Sequence, residues 1–248
     1  MNTLIALTHR ELKAFWYSPI AYGTGAVFLF LQGLVFWILI LALNDPRSDP
    51  SWTMAQVFFG GTFFFWFSVL ILAPLLTMRT FSEEKRTGTI EFLLTAPVTN
   101  TQVVLAKFLG AWLAYLLLWI PTVIFFLVLR AFTPFDWAPV ATGYLGTWLV
   151  GGVLTAVGVL ASSLTRNQVI AALCSFVAIL SLFSVGIFDA FVQDPDTSAF
   201  IRHLSLLEHL RSFSRGVLDT RPVIFYLSLT ALCIFLTGRV INSPRWRS

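Results

Sequence analysis

Residues 79–107 read RTFSEEKRTGTIEFLLTAPVTNTQVVLAK and separate two long apolar runs. The segment carries four of the chain's sixteen basic residues (Arg79, Lys85, Arg86, Lys107) and three of its twelve acids (Glu83, Glu84, Glu91). Almost everything around it is suited to lipid. Hydrophobic residues fill 57% of the 248 positions and charged ones 11%, against roughly 25% charged in an average soluble domain. Mean hydropathy is +0.82. These values define an integral membrane protein. The 25 Phe and 9 Trp agree, because aromatic rings fill lipid-facing surface and Trp gathers at the headgroup level.

The pI of about 9.4 does not indicate nucleic acid. The basic residues lie between apolar runs and form no face, which the positive-inside rule explains better. Cys174 and Cys233 fall inside apolar stretches, where a free thiol behaves as a small hydrophobe. No CxxC spacing suggests a metal or a disulfide. The N-terminal stretch lacks the short apolar core and small-residue cleavage site of a secretory signal, so it is expected to be retained.

Residues 3–17 place Leu4, Ile5, Leu7, Leu12, Phe15 and Trp16 against Thr8, His9, Arg10, Glu11 and Lys13, a helical pattern closed by Pro19. Residues 1–19 therefore read as an interfacial amphipathic helix; a frayed extension of the first span is the plainer alternative. Uncharged runs at 20–43, 57–78, 108–129, 138–164, 169–188 and 222–238 are six expected spans, each judged against the ~20 residues a hydrocarbon core requires. Pro121 is expected to bend the third. The fourth is rich in glycine, which suits close helix packing. Residues 189–221 are too charged to span. Leu204, Leu207, Leu210, Phe213 and Val217 alternate there with Glu208, Arg211 and Arg215 at helical spacing, giving one amphipathic helix or two short ones, interfacial or re-entrant.

With both termini on one side, that side holds ten of the sixteen basic residues and four of the twelve acids, a net +6 against −2 opposite. The positive side is expected to be cytosolic, and residues 79–107 with it.

No run carries an ionisable residue at its centre, which disfavours a proton- or sodium-coupled pathway. His9, His203 and His209 lack metal-ligand spacing, no catalytic constellation occurs, and no GxxxxGK[ST] loop is present to bind ATP. An integral membrane enzyme is thus disfavoured, and energy for directed work has to come from a partner. Residues 80–91 read as a short charged helix broken near Gly88, and Thr99 supplies a new cap signal. Spacing alone fits a partner-contact surface and a plain connector equally.

The string FSEEKRTGTIEFLLTAPVTNTQVVLAKFLG (81–110) resembles the signature of ABC-2 type transporter permeases, with the nearest likeness to the gliding-motility and nitrous-oxide-reductase-maturation type. The likeness extends from the N-terminal helix through six spans to SLLEHLRSFSRGVLDTRPVIFYLS (205–228). It implies one all-α transmembrane domain over 1–248, with both termini cytosolic, in a bacterial inner membrane. It further implies a coupling helix containing Glu83, Glu84, Lys85, Arg86, Gly88, Thr89 and Glu91, docked on a separate cytosolic ATPase present in two copies. ATP and Mg are then expected in that ATPase, with no cofactor on this chain. A second permease subunit completes a homodimer or heterodimer, and the resemblance admits a periplasmic or membrane accessory protein. Helices around 200–218, with Glu208, Arg211 and Arg215, are implied to form the outer gate region. Arg10, Lys13 and Trp16 are expected to anchor the interfacial helix in the bilayer surface. The family's cargoes differ, so none is implied. A membrane scaffold that moves nothing and holds a soluble partner is the alternative from another class.

Overall fold

The glycine-rich fourth run is the axis on which the other helices are assembled. The structure, a computed structural model, describes residues 3–44, 54–89, 98–189, 192 and 194–243. Among them the helices are α1 (Thr3–Trp16), α2 (Pro19–Asn44), α3 (Met54–Phe58), α4 (Phe63–Thr77), α5 (Ser82–Thr87) and α6 (Asn100–Trp119). A 3-10 turn (Ile120–Thr122) leads to α7 (Val123–Phe132), then α8 (Ala138–Leu164), α9 (Gln168–Phe188), α10 (Pro195–Leu204), α11 (Leu206–Ser214) and α12 (Thr220–Ile241). No strand occurs among the described residues. Among the described residues six helical stretches are long and apolar enough to cross a membrane: Pro19–Ala42, Phe63–Thr87, Asn100–Phe132, Ala138–Leu164, Gln168–Phe188 and Thr220–Ile241.

Helix α8 packs against α4, α6, α9, α11 and α12, and 78% of its apolar window is buried, against 17–50% in the other five spans. Its small residues make this crowding possible. A Cβ added at Gly151 would lie 2.1 Å from the Tyr115 ring, and one at Gly158 would lie 2.0 Å from Thr77 Oγ1. Without a hydrophobic drive between helices in lipid, such close approach and the dispersion it yields are what hold the bundle. At the other end of α8, Phe59 lies edge-on to Tyr144 at 4.9 Å and stacks on Phe126 at 5.8 Å, where aromatic pairs each add about 0.5–1.5 kcal/mol.

Several bounds differ from those read in the sequence. Residues 57–78 are not one helix: the chain leaves α3, turns at Gly60 with φ +93°, and starts α4 under a Thr62 N-cap. Consecutive Gly60 and Gly61 each disfavour helix by about 1 kcal/mol, and Trp66 Nε1 closes the turn by donating to the Gly60 carbonyl at 2.9 Å. Pro19 opens α2 rather than closing α1; its missing N–H costs nothing at a helix start. The third span begins at Asn100, eight residues before position 108, because Thr99 and Gln102 form a reciprocal capping box. Pro121 lies in the 3-10 turn that interrupts the α-helical hydrogen bonding of this span. The last span is Thr220–Ile241, longer than 222–238, with Asp219 as its cap. Among the described residues of 189–219 there are two short helices, α10 and α11, and Ser205 caps the second.

Candidate functional site

Helix α5 is joined to five neighbours. The preceding turn fixes its entry: the backbone N–H groups of Phe81 and Ser82 both donate to Ser162 Oγ at 3.1 Å, and that hydroxyl donates to the Met78 carbonyl at 3.2 Å. One serine on α8 thus takes up two donors at the start of a helix, where four have no intrahelical acceptor. Arg79 reaches sideways, with Nε donating to Gln168 Oε1 of α9 and an NH1 hydrogen to Ser18 Oγ between α1 and α2, each at 3.2 Å. Lys85 is buried and its Nζ donates to the Ser163 carbonyl of α8.

An ion cluster completes the attachment. Lys107 of α6 is 2% exposed, with Nζ 2.7 Å from Glu84 Oε1 and 3.3 Å from Glu11 Oε2. Arg10 pairs with Glu11 at 2.8 Å and reaches Glu84 at 4.0 Å. Lys107 also lies 5.1 Å from the centroid of the fully buried Phe81 ring. Gly110 lets α1 press close to α6, since a Cβ there would be 2.7 Å from Glu11 Cβ. A buried ammonium is tolerated only when paired in this way.

The opposite face of α5 is open. Arg86, Thr87, Gly88 and Thr89 are exposed, and Glu83 is half-buried. Gly88 ends the helix in the left-handed conformation at φ +74°, a C-cap that glycine adopts without steric cost. Glu91 lies outside the described residues. The coupling residues expected from the sequence therefore divide in two: Glu84 and Lys85 face the bundle, while Arg86, Gly88 and Thr89 face away. Of the expected anchors, Arg10 turns toward Glu84, Lys13 is exposed, and Trp16 lies 6.4 Å from the Tyr22 ring.

Glu208, Arg211 and Arg215 are on or beside α11, which packs on the far end of α8 from α5. The Phe213 carbonyl accepts from Thr142 Oγ1 at 2.6 Å, and the Leu206 carbonyl accepts from the Tyr226 hydroxyl at 3.0 Å. Arg211 pairs with Glu208 at 3.3 Å on the surface, where such a contact adds little. Asp189 accepts from Ser198 Oγ at 2.5 Å and Arg202 Nε at 3.0 Å; the serine hydroxyl first, then the arginine, hold its carboxyl below the ordinary value. His209 is buried, its Nε2 3.0 Å from the His203 carbonyl and its ring against Phe225. Desolvation holds its pKa below the ordinary histidine value.

The two clusters thus occupy opposite ends of one helix. Sequence reasoning singled out Glu84 but missed its partners Glu11 and Lys107. The available signal was a lone acid on a basic helix and a lone lysine within a helical run.

No curated protein matches the chain. A family model described as ABC-2 family transporter protein matches residues 5–243, nearly the whole sequence and all six membrane-length helices. This family comprises membrane components that are not themselves catalytic and that generally work with a cytosolic ATPase. The chain belongs to the ABC-2 transporter membrane family, as a multi-pass membrane protein.

Proposed function

We propose that the chain is the permease subunit of an ABC transporter in a bacterial inner membrane, and that α5 is its coupling helix to a separate ATPase. The observation that carries this reading is the division of α5 into a bonded face and an open face. Arg86–Thr89 offer a partner an accessible charged turn, while Glu84, Lys85 and the Arg79–Ser82 turn connect it to α1, α4, α6, α8 and α9. A displacement imposed on the open face reaches the spans as a rigid-body shift rather than as the bending of a loose loop.

In this reading the α5 end and both termini are cytosolic, in line with the net +6 on that side. α1 lies in the interface, α10 and α11 form the outer gate region, and two permease subunits pair above two ATPases. The string 81–110 favours the gliding-motility and nitrous-oxide-reductase-maturation type. ATP and Mg belong to the partner.

Co-expression with a candidate ATPase tests the reading. ATPase turnover is expected to change on adding the chain, and Arg86→Glu or Gly88→Pro is expected to abolish that change. If no ATPase co-purifies and no turnover responds, the reading fails. Crosslinks between α11 of paired subunits separate transporter from scaffold: distances that shift with nucleotide belong to a transporter, fixed ones to a scaffold.

A further inference from the structure

A cavity of about 640 Å³ opens between α1, α4, α5 and α6, and its wall changes character with depth. Near α5 the wall is charged; further in, Ile20, Ala21 and Leu75 make it apolar. Ile20 and Leu75 also wall a second space of about 350 Å³ between α2 and α4, apolar except for Thr24 and Ser68. The two spaces adjoin at these two residues, one with a charged wall and the other apolar, and a small shift of the Ile20 and Leu75 side chains would join them as head and tail of one recess. Both volumes lie in the ~300–1,000 Å³ range of small-molecule sites. The tail follows α2 from Ile20 to Leu31, a rise of about 16 Å at 1.5 Å per residue. That is about half of a ~30 Å hydrocarbon core, the depth of one leaflet.

Charge decides what fits the head. Arg10, Glu11, Glu84 and Lys107 balance one another in charge, although Glu84 Oε2 is buried without a hydrogen-bond partner among the described residues. Arg79, in the turn before α5, and Glu83, in its first turn, also line the cavity. Arg79 donates to the neutral Gln168 and Ser18, and neither Arg79 nor Glu83 has an ionic partner among the described residues. Among the described residues the head therefore presents one cation and one anion without an ionic partner. An anionic lipid would match Arg79 but set its surplus negative charge against Glu83. A zwitterionic aminophospholipid matches both.

We propose that this recess binds one zwitterionic aminophospholipid, with its phosphate at Arg79 and Ser18, its ammonium at Glu83, and one acyl chain lying between α2 and α4. The lipid wedges α1 against α4 and α5, so the bilayer itself supplies part of the packing that fixes α5. The site requires no ATPase, so its failure and that of the transport reading are separately visible.

The full chain, purified in detergent, is titrated with dioleoylphosphatidylethanolamine or dioleoylphosphatidylglycerol and examined by native mass spectrometry. One ethanolamine lipid per chain is expected, bound about fivefold more tightly than the glycerol lipid. Glu83→Gln should erase that preference, and Arg79→Gln should weaken both lipids. Gly23 lines the tail, and a Cβ there meets nothing within 4 Å, so Gly23→Phe should fill the groove and remove the bound lipid without disturbing the core. Equal affinity of the two lipids for the wild-type chain, an undiminished preference in Glu83→Gln, or full retention by Gly23→Phe would each overturn the proposal. Should Arg79→Gln fail to give a monodisperse protein, the Glu83 and Gly23 variants decide the matter.

Discussion

Lys107 Nζ lies 2.7 Å from Glu84 Oε1, joining the third span to α5 across 23 residues of chain through a lysine that is 2% exposed. Removing the ammonium leaves the mostly buried carboxylates of Glu11 and Glu84 with the half-exposed Arg10 as the remaining cation of the cluster. Lys107→Met is expected to cost about 3–5 kcal/mol, toward the lower end because Glu11 and Glu84 keep some exposure. The double variant with Glu84→Gln should lose less than the sum of the singles. Chemical denaturation of the solubilised protein measures both; strict additivity would mean that the pair is not energetically coupled.

The glycines separate into tight and open positions. Gly151→Ala places a methyl against the Tyr115 ring at 2.1 Å and is expected to cost about 1–3 kcal/mol through overpacking. Gly23→Ala meets nothing within 4 Å and should be neutral, or stabilising by up to about 1 kcal/mol, because alanine favours helix. Thermal unfolding of the two variants side by side tests the contrast.

Gly88→Val puts a β-branched residue at φ +74°, a conformation that costs an L-residue about 1–2 kcal/mol. The position is exposed and a Cβ there has no neighbour within 4 Å, so the strain falls on the end of α5 rather than on the bundle. The expected outcome is a folded protein that no longer stimulates the proposed partner ATPase as the wild-type chain would; loss of folding, or unchanged turnover of that ATPase, would contradict it.

His209 makes the α11 end sensitive to acid. Its pKa is depressed by desolvation, with a further lowering from His203 opposed by the His203 carbonyl and by Glu208 and Asp219. The neutral imidazole is the form the fold accepts, so its contribution is present above the unfolded value of about 6.5 and is lost as pH falls through the folded value. Hydrogen-exchange protection across α11, corrected for the intrinsic rate at each pH, should fall as the pH drops below the unfolded value of about 6.5, and His209→Phe should flatten that dependence. An unchanged pH profile in the variant would place the effect elsewhere.

The six spans were legible because about 20 apolar residues without charge allow few other structures. The capping box at Thr99 and the stop at Gly88 were legible for a similar reason, since both are local chemistry. What escaped notice was tertiary. Nothing near Lys107 in the sequence names Glu11, which lies 96 residues away, and nothing in 57–78 says that α3 and α4 separate until the paired glycines are weighed against the hydrophobic run. The inward turn of Glu84 and Lys85 was hidden as well, because a six-residue helix is too short for periodicity to declare a face.

Helix α8 runs for 27 residues, about 40 Å at 1.5 Å per residue, and past Pro139 no proline or positive-φ residue interrupts it. Ser162 and Ser163 at one tip grip α5, and Thr142 near the other grips α11. The two tips share no side chain, so each can be rewritten without touching the other. Substitutions that alter the surface at one tip therefore leave the bonds at the other in place, so the two ends of the bundle are free to diverge separately around a common shaft.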